Sequence, residues 1–158
     1  MVRNGTGIKE VADLKGHTLA SQKEGSTADI VLRGVTFADA GLADGDVQVM
    51  GVSPAVAVQS LVGGRVDAAF LFAPYDRIAR LIAPVEQIYE IGEVWPFPCM
   101  VVITYGETNE KRKDEIWAAL EAQREAIELL ENEPAKAAEL IAHYFIAEPT
   151  LKTREHGE

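Results

Sequence analysis

The stretch Gln22-Lys23-Glu24-Gly25-Ser26-Thr27-Ala28-Asp29 lies between a short apolar run, Thr18-Leu19-Ala20, and a segment in which Val31, Val35, Ala38 and Leu42 recur at helical spacing. A strand followed at once by a helix leaves this stretch as the turn between them. Ser26 is a favoured N-cap, Asp29 three residues later completes a capping-box pattern, and Gly25 lets the backbone bend closely. The first free N–H groups of the helix, aided by its dipole, suit a small anion without a dedicated cation. A capping box that serves only its own helix satisfies the same pattern, so both readings stand at this point.

The alternation continues. Ile8, Val11 and Leu14 are spaced as a short helical turn or two within the otherwise polar residues 1–17, and Leu19-Ala20-Ser21 is the first predicted strand. The helix after it runs to about Ala40 and closes at Gly41, a C-terminal cap. Gly34 weakens that helix by roughly 1 kcal/mol relative to alanine, and tight packing against a strand is the expected reason. Asp44-Gly45-Asp46 reads as a turn and Val47-Gln48-Val49-Met50 as a strand. Ser53-Pro54 starts a second helix, an N-cap followed by a proline whose missing N–H costs nothing there. It runs to Gly63-Gly64.

Val66-Asp67-Ala68-Ala69-Phe70-Leu71-Phe72 is nearly continuous and apolar, as expected of a strand covered on both faces. Pro74 opens a third helix whose apolar face is Tyr75, Ile78, Ala79 and Ile82, and Gln87 to Ile91 is a further short strand. This order predicts an α/β layer with a largely parallel sheet, right-handed crossovers and helices on both faces. Ligands of such sheets sit beyond the carboxyl ends of the strands. Gly25-Ser26-Thr27, Ser53-Pro54 and Phe72-Ala73-Pro74-Tyr75 all fall at that edge.

The pattern changes at Trp95-Pro96-Phe97-Pro98, where two prolines in four residues make a stiff extended crossing. Cys99 to Thr104 reads as one more apolar strand. Two helices follow: a long charged one, about Lys111 to Glu131, with Ile116, Leu120, Ile127 and Leu130 on one side, and a shorter one from Pro134 to about Tyr144, capped by Asn132. After Phe145 the tail is polar.

With 158 residues and a formal charge of -10, the chain has one domain's length and no basic face for nucleic acid or an anionic membrane. That charge leaves a small anionic ligand open, because distant surface charges are screened beyond a Debye length of about 10 Å at 0.1 M salt. No apolar run is long enough to cross a bilayer, and Met1-Val2-Arg3-Asn4 does not begin a signal peptide. A lone cysteine, Cys99, forms no intrachain disulfide and reads as an inert core residue. His17, His143 and His156 lie in unrelated segments, without a nucleophile pairing, and no cluster has metal-ligand spacing. Neither a cofactor nor a metal is expected.

The order of these motifs resembles the nitrate, sulfonate and taurine group of substrate-binding proteins that serve ABC importers, a superfamily that includes binders of thiamin pyrimidine precursors. The residues that carry the likeness are Ile8-Lys9-Glu10-Val11-Ala12-Asp13-Leu14-Lys15-Gly16, Gly25-Ser26-Thr27, Gly63-Gly64-Arg65-Val66-Asp67-Ala68-Ala69-Phe70, Pro74-Tyr75 and Glu131-Asn132-Glu133-Pro134 with Ala137-Ala138-Glu139-Leu140-Ile141. The resemblance implies a periplasmic-binding-protein-like α/β lobe over residues 7–92, the second of two lobes that close on a ligand. It implies a hinge crossing over 93–104, C-terminal helices over 105–145 that pack on a first lobe absent from this chain, and a tail over 146–158. Gly25, Ser26 and Thr27 would then hold the anionic group, with Ser53, Phe72, Pro74 and Tyr75 lining the same wall.

Family members often carry an acidic residue where Ala73 stands, so taurine-like ligands are disfavoured. Phe72, Tyr75 and Trp95 would instead wall an apolar tail or stack on a flat heteroaromatic ring, with plain core packing as the other reading. The implied partners are an anionic or heteroaromatic solute and an importer permease. The implied location is the periplasm, or a lipid-anchored extracytoplasmic position. A homodimer or segment exchange through the C-terminal helices would cover their apolar faces. Two rival readings use the same fold: an enzyme of the desulfinase or pyrimidine-synthase kind, whose catalytic groups come from the missing lobe, and a ligand-sensing domain.

Overall fold

The structure is a computed structural model that describes residues 1–98 and 100–145. They form two compact units, 1–98 and 100–145. The first is built on a five-stranded sheet of order β3-β2-β4-β1-β5, with β1 at Val2–Arg3, β2 at Thr18–Ser21, β3 at Gln48–Gly51, β4 at Ala68–Ala69 and β5 at Val85–Glu86. β2 runs parallel to β3 and β4, while β1 is antiparallel to both its neighbours, β4 and β5. Four strands therefore share one direction, and the largely parallel sheet is the one expected.

β1 is absent from the sequence reading, which takes residues 1–17 as polar. Val2 is fully buried and pairs with both Ala68 and Glu86, so one apolar residue is signal enough once neighbouring strands supply the ladder. A 3₁₀ turn over Val11–Leu14 follows, as the spacing predicts, and buries Val11 and Leu14. Side chains alternate across the sheet. Leu19 joins Ile8, Leu32 and Phe37 in a core on one face, and its neighbour Ala20 joins Ala57, Leu61 and Val66 on the other.

The helix after β2 is one unbroken rod, α1 over Thr27–Val31, a π segment over Leu32–Phe37, and a last helical turn. Gly41, at φ 68°, ends it: its N–H donates to the Ala38 carbonyl at 3.1 Å and that of Leu42 to Phe37 at 2.9 Å, a Schellman closure. Gly34 sits in the π segment, and a Cβ placed on it would meet nothing within 4 Å. The tight packing expected at Gly34 is not found; it lies on the solvent side. α2, Pro54–Val62, has Ser53 at its N-cap position and ends at Gly63.

The run Val66–Phe72 is a shorter strand than its composition predicts. Only Ala68–Ala69 lies in the ladder, because the Phe70 N–H still reaches Ala20 at 2.9 Å but the chain then leaves the sheet. Val66, Ala68 and Ala69 are covered on both faces, whereas Phe72 is 47% exposed. α3, Tyr75–Ile82, follows a cis Ala73–Pro74 bond and buries Ala79 fully. The strand expected at Gln87 to Ile91 stands earlier, at β5, where β1 offers partners; Ile91 instead opens α4, Ile91–Val94, whose Gly92 N–H donates to the Glu90 side chain at 3.4 Å.

In the second unit, residues 100–104 form no strand, and Met100 and Ile103 are 88% and 86% exposed. An apolar β-prone run without a neighbouring edge has nothing to pair with. Cys99 and His156, and with them the tail after residue 145, lie outside the described residues. α5 spans Gly106–Lys111, α6 Lys113–Asn132 and α7 Pro134–Phe145. Asn132 is the last residue of α6 rather than the cap of α7; Glu133, whose carbonyl accepts the Ala137 N–H at 3.0 Å, takes that place. Ala137 is buried, while Ile127, Leu130 and Leu140 are each more than half exposed.

Candidate functional site at the carboxyl edge of the sheet

The three neighbouring parallel strands β3, β2 and β4 are held in register by Ser21 opposite Gly51 and Ala20 opposite Ala69. Two further hydrogen bonds stitch their ends, Val52 N–H to Ser21 at 2.8 Å and Phe70 N–H to Ala20 at 2.9 Å. The turns that leave these strands carry Gly25–Thr27, Ser53–Pro54 and Phe72–Tyr75, so topology brings the three predicted segments to one edge. Two of the turns also touch. A Cβ on Gly51 would stand 3.2 Å from the Lys23 Cα and 3.7 Å from the Gln22 carbonyl oxygen.

At the first turn Ser26 caps α1 as predicted, its Oγ accepting the Asp29 N–H at 3.3 Å. The reciprocal bond differs from a standard capping box. Asp29 Oδ2 accepts the N–H of Gly25 at 3.0 Å, one residue earlier than Ser26, whose own N–H donates to the Lys23 carbonyl at 3.1 Å. Gly25 holds φ 75°, a left-handed conformation suited to glycine. Its amide is thus engaged by the protein itself. Among the described residues, the N–H groups of Thr27 and Ala28 have no acceptor, and these are the donors the turn leaves open.

Asp29 is 5% exposed and carries more than the Gly25 bond. Its Oδ1 accepts Arg33 Nε at 2.8 Å, and Arg33 Nη1 reaches Asp44 Oδ1 at 2.6 Å. The Gly25 N–H, and after it the Arg33 guanidinium, hold the Asp29 carboxyl below its ordinary range against the opposing effect of burial. Arg33 has none of the roles predicted from the sequence, and Asp44 only that of a turn residue. The signal was there in the i,i+4 spacing of Asp29 and Arg33. Ser21, predicted only as a strand residue, is the last residue of β2, is 1% exposed, and its hydroxyl has no partner among the described residues.

Ser53 is exposed and makes no side-chain cap bond, and Pro54 after it has no N–H to satisfy. At the third turn the Tyr75 N–H donates to the Phe72 carbonyl at 2.9 Å, and the two rings meet edge to face with centroids 5.7 Å apart. Pro74 precedes the first turn of α3. Trp95 is 45% exposed and stacks on Phe97 at 4.6 Å. Among the described residues, no group of three or more His, Cys, Asp or Glu side chains is placed to hold a metal ion.

Comparison with known proteins agrees with this architecture. Over 81 residues the chain is 40% identical to a putative aliphatic sulfonates-binding protein of Escherichia coli (strain K12), an alignment that covers 51% of this chain and 25% of that protein. The crystal structure of the periplasmic aliphatic sulphonate binding protein SsuA from Escherichia coli superposes with a TM-score of 0.72 at 27% identity, covering 90% of this chain and 48% of that one. The chain thus spans about half the length of that solved relative. The sequence model of the NMT1-like family matches residues 4–145, and by that match the chain is a member of the NMT1-like family.

Proposed function

We propose that the chain is a ligand-binding lobe of a periplasmic solute-binding protein that delivers a small organic anion, of the sulfonate class, to an ABC importer. The observation that carries this reading is the shared edge of β3, β2 and β4, where the Thr27 and Ala28 amides have no acceptor among the described residues. An anion there meets backbone donors and the positive end of a helical rod. The sulfonate-binding names of the two relatives support the ligand class, and the periplasmic one supports the location.

In this reading residues 7–92 form the second lobe, 93–104 the crossing, and the helices over 105–145 pack on a first lobe. Ser26 and Thr27 hold the anionic group, Gly25 shapes the turn, and Ser53, Phe72, Pro74 and Tyr75 line the wall. The lobe works by closing on a ligand that favours the closed state, and it catalyses no reaction. The test is a titration of the ¹⁵N-labelled 158-residue chain with ethanesulfonate, nitrate and a pyrimidine, followed by amide shifts. Weak binding of ethanesulfonate with the largest shifts at Thr27 and Ala28 is expected, since only part of a cleft is present. Ethanesulfonate shifts confined to other segments, or none at all, would overturn the reading.

A further inference from the structure

We propose that Arg33 is a specificity-determining positioning residue: it cancels the charge of the buried Asp29 carboxylate so that the turn it braces can face an anion. The proposal rests on the anion-binding reading above. Asp29 is needed for the shape of the turn, because its Oδ2 holds the Gly25 N–H at 3.0 Å and so fixes the bend before Ser26. The same carboxylate is a liability. It sits one residue past the open Thr27 and Ala28 amides, 5% exposed and little screened by water, where its negative charge opposes any anion drawn to them.

Arg33 resolves that conflict from one helical turn further on. Its Nε binds Asp29 Oδ1 at 2.8 Å, leaving Oδ2 for Gly25, and its Nη1 is anchored by Asp44 Oδ1 at 2.6 Å. Asp44 is exposed, with 88% of its side chain accessible, so it fixes the guanidinium in place at the rim while its own charge is solvated. A second feature stands at the start of the same turn. Side-chain alternation puts Ser21, the last residue of β2, on the face of Leu19, which packs with Leu32 of the rod, and its buried hydroxyl lacks a partner among the described residues.

The experiment uses the whole chain and three variants: Arg33→Gln, Asp29→Asn, and the two combined. Asparagine keeps an oxygen for the Gly25 N–H while removing the charge, so the turn is conserved. Ethanesulfonate affinity is read from amide shifts and folding from circular dichroism. Arg33→Gln should weaken binding about tenfold, the order expected for one uncompensated charge a few ångströms away. Asp29→Asn should bind at least as well as the unaltered chain, and the double variant should recover to within about threefold of it. Unchanged affinity in Arg33→Gln, or a double variant as weak as Arg33→Gln while still folded, would overturn the proposal and leave the anion reading standing. An unaltered chain that fails to bind ethanesulfonate would overturn both.

Discussion

Gly51 and Lys23 touch through their backbones: the place a Cβ would occupy on Gly51 is 3.2 Å from the Lys23 Cα. A main-chain neighbour cannot rotate away as a side-chain tip can. Gly51→Ala should therefore push the β2–α1 turn outward and cost about 1–2 kcal/mol, the range of mild overpacking. Urea denaturation measures the loss. The same variant should shift the Thr27 and Ala28 amide resonances, because the displaced turn carries them.

Gly34 predicts the opposite sign. It lies in the helical rod with φ outside the left-handed region and open space where a Cβ would go. Gly34→Ala should raise stability by about 0.5–1 kcal/mol by removing backbone freedom from the unfolded chain. A higher urea midpoint with an unchanged slope is the expected result.

Ser26 tests the cap by itself. Its Oγ accepts the Asp29 N–H, and Ser26→Ala leaves that donor without its acceptor. A loss of about 1 kcal/mol is expected, and only a few tenths for Ser26→Gly, which caps without a side chain. Thermal melts of the two variants side by side separate the hydroxyl's contribution from that of the backbone.

Acid should act on the first turn. The Asp29 carboxyl is lowered in the folded chain, first by the Gly25 N–H and then by Arg33. A group depressed on folding adds stability that is complete above its unfolded value, about 3.9, and is lost as pH falls through the folded one. Urea midpoints taken from pH 7 down to pH 2 should drop below about pH 4, and Asp29→Asn should drop less over the same interval because it has no such proton to gain.

The parts of this molecule legible in the sequence are those set by local chemistry. Ser26 and Gly41 mark the ends of one helix, Pro54 the start of the next, and the apolar spacing of Ile8, Val11 and Leu14 a buried turn, all as found. What local pattern does not encode is who pairs with whom. Val2–Arg3 looks like the front of a polar segment and yet lies inside the sheet, because β4 and β5 flank it. Residues 100–104, most of the strand predicted over Cys99 to Thr104, pair with no strand among the described residues. At the site, the edge shared by three turns followed from strand order, whereas the engagement of the Gly25 amide by Asp29 depends on a one-residue shift that no spacing rule resolves.

The position of β1 between β4 and β5 makes it the keystone of that side of the sheet. Among the described residues nothing joins β4 to β5 directly; Val2 and Arg3 bridge them, with Ala68 on one side and Val85 and Glu86 on the other. Removing those two residues would leave a slot between β4 and β5, and β5 would lose the one neighbour it has in the ladder among the described residues.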